Sequence, residues 1–159
     1  MTRGERSGIA LIDRLRGALG APVALVLADG QRLELTLSTV GSTWVGGTER
    51  SGSVVVNVAA VAAIDSPLAV VSREPSPGRR RLGIGSLYRS LSRARVALEV
   101  TGQGARLLGE GTIDRVGLDH FDLAVHPRDE QRRGRNVRGL RVIPFDAVYL
   151  VRSAQASSV

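Results

Sequence analysis

The chain has 159 residues, of which 43% are hydrophobic and only 3% aromatic, so a core must be built mainly from Val, Leu, Ile and Ala. It contains no Cys, which excludes disulfides, Cys-ligated zinc and thiol chemistry. The formal net charge of +7 rests on 22 basic residues, all of them Arg. Nothing resembles a signal peptide or reaches the length of a membrane span, so we expect a cytoplasmic protein with no membrane partner.

The first periodic pattern in the chain predicts a short amphipathic helix. Apolar residues from Leu11 to Leu19 recur at helical spacing, with charged residues on the opposite face. Ser7 is a candidate N-cap, and Gly20 followed by Pro22 predicts where the helix ends.

From Val23 the period changes to two, which predicts β-strands. Runs over 23–27 and 32–40 flank the pair Asp29-Gly30, which is the strongest short signal for a β-hairpin. The further elements expected in this half are a third strand from Thr43, a loop over 46–52, a fourth strand over 54–56, a turn over 58–60 and a fifth strand ending at Ile64. Residues 68–71 could add one more edge strand.

The second half of the chain repeats this pattern. Its expected elements are a helix capped by Ser86, strands over 96–100, 106–116 and 119–126, an Arg-rich loop over 127–139, a tight turn at 144–146 and a strand over 147–151. A repeat of this kind predicts two equivalent units. The predicted organisation is a first unit over 1–71, a basic Pro/Gly linker over 72–83, a second unit over 84–153 and a tail over 154–159.

The arrangement of helix, five bent strands, variable loop between strands three and four, and tight turn before strand five resembles the Sm-like (LSm/Hfq-like) fold. The resemblance covers about residues 9–66 and 84–152, and its best match is the stretch 23–33. It implies a mainly β fold with short helices (α+β): two tandem five-stranded Sm-like or SH3-like small barrels, each preceded by a short α-helix. In this family, rings form when the edges of strands four and five pair between units.

The residues that bind uridine-rich RNA in Sm proteins are not reproduced. The family typically carries an Asp and an Asn around the loop after strand two, and an Arg-Gly pair before strand five. The matching positions here are 41–44 and 117–121 in the first loop, and 57–60 and 143–146 before strand five. Any RNA is therefore expected to bind elsewhere on the protein.

Two arginine-rich segments are the candidate sites for nucleic acid. Residues 72–81 carry four Arg against one Glu, and residues 127–139 carry five Arg against one Asp and one Glu. Guanidinium groups pair bidentately with phosphate and stay charged at any working pH. Alternatively the segments are solvated loops that keep the protein soluble, since the chain offers few aromatic side chains for base stacking. The predicted phosphate-binding residues are Arg79, Arg80, Arg81, Arg128, Arg132, Arg133, Arg135 and Arg138.

Catalytic and metal chemistry find little support in the sequence. His120, Asp122 and His126 would share one face of a strand, but a strand from the first to the last covers about 20 Å, too far for one metal ion. A polar outer face is the simpler interpretation. No spacing suggests a nucleophilic triad, so we expect no enzyme, no cofactor and no metal. Trp44 and Phe121, which look equivalent in the two copies, are predicted to anchor the core.

Two functions remain open at this level. The first is a non-catalytic RNA- or nucleic-acid-binding protein of Sm-like type, in which the Arg-rich linker and loop contact phosphates. The alternative is a protein–protein interaction or self-assembling scaffold module with no nucleic-acid role, forming a homo-oligomer through strand edges. A continuous positive face joining the two Arg segments would favour the first. An exposed hydrophobic seam would favour the second.

Overall fold

The fold was determined as a computed structural model that describes residues 8–81, 83–127 and 137–154. It is mainly β, with short helices and one antiparallel sheet of ten strands. The first half contains α1 (Leu11–Arg16), β1 (Pro22–Leu27), β2 (Arg32–Val40), β3 (Trp44–Glu49), β4 (Gly52–Asn57), the 3-10 turn η1 (Val58–Ala60) and β5 (Val61–Ile64). The second half contains α2 (Pro77–Arg80), α3 (Ile84–Arg93), β6 (Ala97–Thr101), the 3-10 turn η2 (Gln103–Ala105), β7 (Leu107–Val116), β8 (His120–Val125), β9 (Leu140–Pro144), the 3-10 turn η3 (Phe145–Ala147) and β10 (Leu150–Ala154).

The order of strands in the sheet repeats once. It runs β5-β1-β2-β3-β4 through the first half and β10-β6-β7-β8-β9 through the second, and hydrogen bonds between β4 and β10 join the halves. In each half the last strand therefore lies beside the first. The outermost strands of the whole sheet are β5 and β9.

The first core follows from the period-two pattern. Leu33, Leu35 and Leu37 alternate with exposed polar residues along β2, so one face of this strand is buried and the other is solvated. α1 covers that core with Leu15, which is 1% exposed. The apolar residues of the sequence are therefore sufficient to form a core made largely of Val and Leu.

The second core contains most of the aromatic side chains. The ring of Tyr88 from α3 lies 4.9 Å from that of Phe121 and 5.0 Å from that of Phe145. The two cores also exchange residues across the junction, because Leu150 of β10 belongs to the first core and Val55 of β4 packs against the second. The two halves thus bury apolar surface against each other.

The predicted loop over 46–52 is wrong, because β3 continues to Glu49 and β4 already begins at Gly52. The glycines that suggested a loop lie inside the strand. A Cβ on Gly47 would overlap the carbonyl oxygen of Thr36 on β2, so a glycine allows the two backbones to approach closely. Only Arg50 and Ser51 form the turn.

The predicted edge strand over 68–71 is also wrong. Leu68 adopts a positive φ of 46° and is only 7% exposed, so the chain bends onto the first core instead of extending the sheet. The guanidinium of Arg14 donates hydrogen bonds to the carbonyl oxygens of Leu68, at 3.0 Å, and Pro67, at 2.9 Å. These carbonyls are therefore satisfied by a side chain and not by a neighbouring strand.

The helices differ from the prediction mainly at their ends. α1 ends at Arg16 and continues only as a turn to Gly20. α3 begins at Ile84, with Gly83 and not Ser86 at its N-cap. The predicted linker contains the single helical turn α2. Ser7, most of the Arg-rich loop and nearly all of the tail lie outside the described residues.

The outward orientation predicted for His126 is wrong. His126 is 1% exposed, and its Nε2 lies 2.6 Å from the hydroxyl of Thr112, which is also buried. Its Nδ1 lies 2.8 Å from the carbonyl oxygen of Pro127. The buried imidazole is thus hydrogen-bonded at both nitrogens, which offsets the cost of removing it from water.

In the part of the chain that the structure describes, no helix combines the length and the apolar composition that a membrane span requires.

Candidate assembly edges and arginine surfaces

Three of the eight arginines predicted to bind phosphate lie together on α2 and just after it. Arg79 and Arg80 form the last turn of this helix and Arg81 follows it, and all three are exposed. Ser76 caps the helix by accepting a hydrogen bond from the backbone N–H of Arg79. No ion pair involves these three side chains within the described ranges. Their charges are therefore available to an external anion.

Arg138 lies apart from that cluster. It follows β8, where its backbone N–H donates to the carbonyl oxygen of Val125 at 2.7 Å. Its side chain is exposed and lines a shallow groove together with Glu110, His126 and Pro127, to which no arginine of α2 contributes. The remaining predicted phosphate-binding residues, Arg128, Arg132, Arg133 and Arg135, lie outside the described residues. Among the described residues, the predicted phosphate-binding arginines therefore form one local cluster, on and after α2.

The outer edge of β9 exposes apolar side chains. Val142 is 62% exposed and Leu140 is 60% exposed. Ile143, on the opposite face of the strand, is buried in the second core. β9 pairs with β8 on one side and has no strand on its other side among the described residues. An exposed apolar edge of this kind is a template for pairing with another strand.

The outer edge of β5 is also apolar, with the sequence Val-Ala-Ala-Ile. β5 pairs with β1 but, as far as the structure describes the chain, with no second strand. A groove runs beside it, between this strand and α1, and Leu11, Val61, Ile64 and Leu68 contribute its apolar lining. Both ends of the sheet thus carry features that could receive a partner.

The junction between β4 and β10 shows how such edges pair inside the molecule. The register places Val55 opposite Val151 and Val54 opposite Arg152. The guanidinium of Arg152 donates to Glu49 on β3 at 2.5 Å, and the side-chain amide of Asn57 donates to the carbonyl oxygen of Val148 at 3.2 Å. Backbone pairing, apolar packing and polar side chains therefore all contribute to this junction.

A second contact between the halves lies at Asp29, in the β1–β2 turn. Its carboxylate accepts hydrogen bonds from the backbone N–H of Gln31, at 3.0 Å, and from that of Gly104 in η2, at 2.7 Å. Burial alone would raise the pKa of this carboxyl group. The hydrogen bonds from Gln31, Gly104 and Ala105 outweigh that effect and hold the pKa below its ordinary value. The ionised carboxylate thus links the two halves at neutral pH.

The loop after the second strand of each half contacts the turn before the fifth. In the first half the N–H of Val58 donates to the carbonyl oxygen of Thr43 at 3.0 Å, and in the second that of Phe145 donates to Asp119 at 2.8 Å. Val58 and Phe145 therefore occupy equivalent positions.

The same equivalence corrects the sequence alignment of the two copies. Trp44 pairs with Asn57, the residue before Val58, and His120 pairs with Pro144, the residue before Phe145. Trp44 is therefore equivalent to His120 and not to Phe121. Phe121 is a core residue as predicted, whereas Trp44 is half-buried, belongs to neither core cluster and packs its indole over Gly41. The partner of Phe121 in the first half is Val45.

Within the described residues, no group of three His, Asp or Glu side chains is arranged to hold a metal ion. The two histidines are separated by their environments. His126 is buried against Thr112, whereas His120 is partly exposed and its Nδ1 lies 2.9 Å from the carboxylate of Asp119.

Sequence reasoning anticipated the strand edges as a class of surface but not the residues on them. Val142 and Leu140, which follow the predicted Arg-rich loop, carried no predicted role. Their exposure becomes apparent only when β9 is found at the end of the sheet. The internal repeat was the signal that could have found them, because it aligns β9 with β4. One side of β4 pairs with the other half of the chain, so the same side of β9 is expected to be open.

Comparisons of the chain with protein-family models, with curated proteins and with solved structures found no match.

Proposed function

We propose that this chain is a non-catalytic tandem Sm-like protein that builds larger assemblies by pairing its two outer strands. The observation that carries the proposal is the β4–β10 junction. It joins the fourth strand of one half to the fifth strand of the other, and the equivalent strands, β9 and β5, are left at the ends of the sheet.

The Sm-like interpretation is supported by the repeated architecture. Each half has a helix before its first strand, the strand order fifth-first-second-third-fourth and a 3-10 turn directly before its fifth strand. The loop after the second strand contacts that turn in both halves. The helix before the first strand and the turn before the fifth are among the features on which the sequence resemblance depends.

Assembly is further supported by what the two edges lack. Natural proteins usually protect an edge strand with charges, prolines, bulges or a covering segment. β5 carries no charged residue and no proline, and the protection on β9 is limited to Arg141 and the terminal Pro144, beside the exposed Leu140 and Val142. Edges that pair with a partner do not need such protection.

We expect the wild-type protein to form concentration-dependent oligomers in sedimentation-velocity experiments. The variant Val142→Lys should sediment as a monomer, because pairing would bury an ammonium group against apolar side chains. Since Val142 is 62% exposed in the single chain, the substitution should leave the melting temperature almost unchanged.

The matched control is Leu118→Lys, which makes the same kind of change at a residue that is 95% exposed in the β7–β8 turn, outside both edge strands. It should assemble like the wild type. A wild-type protein that remains monomeric at every concentration would contradict the proposal.

A second function, nucleic-acid binding, is favoured by the α2 cluster. Arg79, Arg80 and Arg81 are consecutive, exposed and not engaged in ion pairs within the described residues. A run of unpaired guanidinium groups can contact several phosphates of one strand. This function is compatible with assembly, because α2 belongs to neither sheet edge and an oligomer would present the cluster several times.

Binding of a fluorescent single-stranded RNA across a salt series tests this second function. Changing the three α2 arginines to Ser should weaken binding and reduce the slope of log affinity against log salt by about 2, as expected for three lost phosphate contacts. The control changes the exposed Arg50, Arg106 and Arg115 to Ser, which lowers the net charge equally. Equal losses of RNA affinity in the two variants would contradict a specific role for α2.

A further inference from the structure

A serine in an extended stretch of chain directly precedes α2. Ser76 has a φ of -82° and a ψ of 116°, and the prolines on either side of it, Pro75 and Pro77, are exposed. Each proline ring fixes its own φ and removes one backbone N–H, and a residue that precedes proline is restricted to extended conformations. The stretch therefore has the shape in which a peptide is laid across the active site of another protein.

Few contacts hold this stretch against the rest of the protein. The backbone N–H of Ser76 donates to the side chain of Glu74 at 3.2 Å, and its carbonyl oxygen accepts from the N–H of Arg80 at 3.0 Å. Both bonds are local, α2 buries no residue, and no strand of the described sheet pairs with residues 73–76. Moving the stretch into an enzyme would therefore open one helical turn and leave both cores intact.

The chain contains two Ser-Pro pairs, and the structure distinguishes them. The hydroxyl oxygen of Ser66 accepts a hydrogen bond from the N–H of Ala24 at 3.1 Å, and a guanidinium group binds the carbonyl oxygen of Pro67. The hydroxyl oxygen of Ser76 accepts a longer bond, 3.4 Å, from the N–H of Arg79. Ser66 is thus fixed against the first half of the sheet, whereas Ser76 is accessible to an enzyme.

The charges around Ser76 favour a phosphate group at this position. Glu74 is the single acidic residue between Asp65 and Glu99, whereas the three exposed arginines of the α2 cluster, 79–81, begin three residues after Ser76. A phosphate on serine carries a charge of about −1.5 to −2 at neutral pH and offers three acceptor oxygens. Opposite an arginine cluster it forms charge-assisted hydrogen bonds. Attraction to three guanidinium groups therefore outweighs repulsion by one carboxylate.

From these observations, and resting on the nucleic-acid function proposed above, we propose that Ser76 is a phosphorylation site that switches the α2 cluster off. The co-substrate is ATP, used by a serine/threonine kinase that accepts proline directly after its target. The Ser76 oxygen forms an ester bond with the γ-phosphorus of ATP, and the bond from that phosphorus to ADP breaks. The hydroxyl proton passes to the catalytic base of the kinase.

The modification acts on nucleic-acid binding through charge. Residues 72–81 carry four Arg against one Glu, a net charge of +3, and one phosphate lowers this to about +1. The phosphate oxygens also occupy guanidinium donors that would otherwise contact a nucleic acid. Because each lost phosphate contact lowers both the affinity and its dependence on salt, the modified protein should bind a single strand more weakly.

Phosphorylation of the folded protein tests the site. A proline-directed serine/threonine kinase with ATP should modify the wild type, and Ser76→Ala should abolish most of the incorporation. The matched control is Ser66→Ala, which removes the hydroxyl of the other Ser-Pro pair and should be modified like the wild type. No incorporation into the wild type, or equal losses in the two variants, would overturn the inference.

Binding of a fluorescent single-stranded RNA tests the switch. Incorporation of phosphoserine in place of Ser76 during translation gives a uniformly modified protein. It should bind about tenfold more weakly than the unmodified chain at low salt, with a smaller slope of log affinity against log salt. The control carries phosphoserine in place of Ser51, in the exposed β3–β4 turn, which adds the same charge outside the arginine-rich segments. Its affinity should stay close to that of the unmodified chain.

The outcomes separate this inference from the function on which it rests. If phosphate at Ser76 leaves binding unchanged while the change of the three α2 arginines to Ser weakens it, the inference is overturned and the function stands. Equal losses from phosphate at Ser76 and at Ser51 would show that only net charge matters, and would also overturn the inference. RNA binding that does not depend on the three arginines would overturn both.

Discussion

Phe121→Ala should destabilise the protein by about 3–5 kcal/mol, the loss typical of removing a fully buried aromatic ring. Phe121 is 0% exposed and its ring lies 4.9 Å from that of Tyr88. It contributes both apolar burial and aromatic packing to the second core. The chain has only two Phe, two Tyr and one Trp, and three of these five residues meet in this cluster. Both neighbouring rings, Tyr88 and Phe145, are already packed in this core.

Urea denaturation followed by circular dichroism measures this loss as a lower midpoint with a nearly unchanged slope. The control Phe121→Leu keeps most of the apolar volume and should lower the free energy of unfolding clearly less. Leu107→Ala, at a residue that is 52% exposed, should change the free energy of unfolding by about 0.5 kcal/mol or less. A loss below about 1 kcal/mol for Phe121→Ala would mean that the aromatic cluster does not anchor the second core.

The sequence was most informative where one face of a strand is buried and the other is solvated. Leu33, Leu35 and Leu37 alternate with polar residues, and β2 has the predicted bounds. Asp29-Gly30 was recognised as a hairpin turn because its backbone preference is local. Both signals depend on residues close in sequence, so they can be recognised without knowledge of the tertiary structure.

Predictions failed where a distant segment decides the local structure. Gly47 looked like a loop residue, yet the approach of the Thr36 carbonyl requires a glycine inside a strand. Leu68 looked like a strand residue, yet the guanidinium of Arg14 takes the carbonyl that a strand neighbour would have used. His126 looked exposed by alternation, yet Thr112 offers it a buried hydrogen bond. In each case the partner is more than ten residues away and leaves no local pattern.

In the candidate site, too, features with a local signal could be predicted and features that depend on distant segments could not. The positive charge of α2 could be predicted from composition, because three consecutive arginines are almost always exposed. The assembly edges could not, because alternation does not tell an edge strand from a central one. Only the pairing of β4 with β10 identifies β5 and β9 as the two ends of the sheet.

Gly111→Ala should destabilise the protein by about 2–4 kcal/mol, because a new side chain there meets both steric overlap and an unfavourable backbone conformation. Gly111 lies in β7 between Leu98 of β6 and Val125 of β8. A Cβ at this position would overlap the carbonyl oxygen of Ala124, and the φ of 155° is one that L-residues rarely adopt. The methyl group can be accommodated only if β7 and β8 move apart.

That separation would act directly on the buried polar pair beside it. The N–H of His126 donates to the carbonyl oxygen of Glu110 at 3.0 Å, and its imidazole contacts Thr112. Widening the strands by a few tenths of an ångström would weaken both bonds, and the Thr112–His126 contact is buried. Thermal and urea unfolding should therefore show a lower stability for Gly111→Ala than for the wild type. Gly78→Ala in α2, where the nearest atom would be 3.8 Å away, should change stability by about 0.5 kcal/mol or less. Equal stability of the two variants would show that β7 and β8 are not held as closely as this geometry requires.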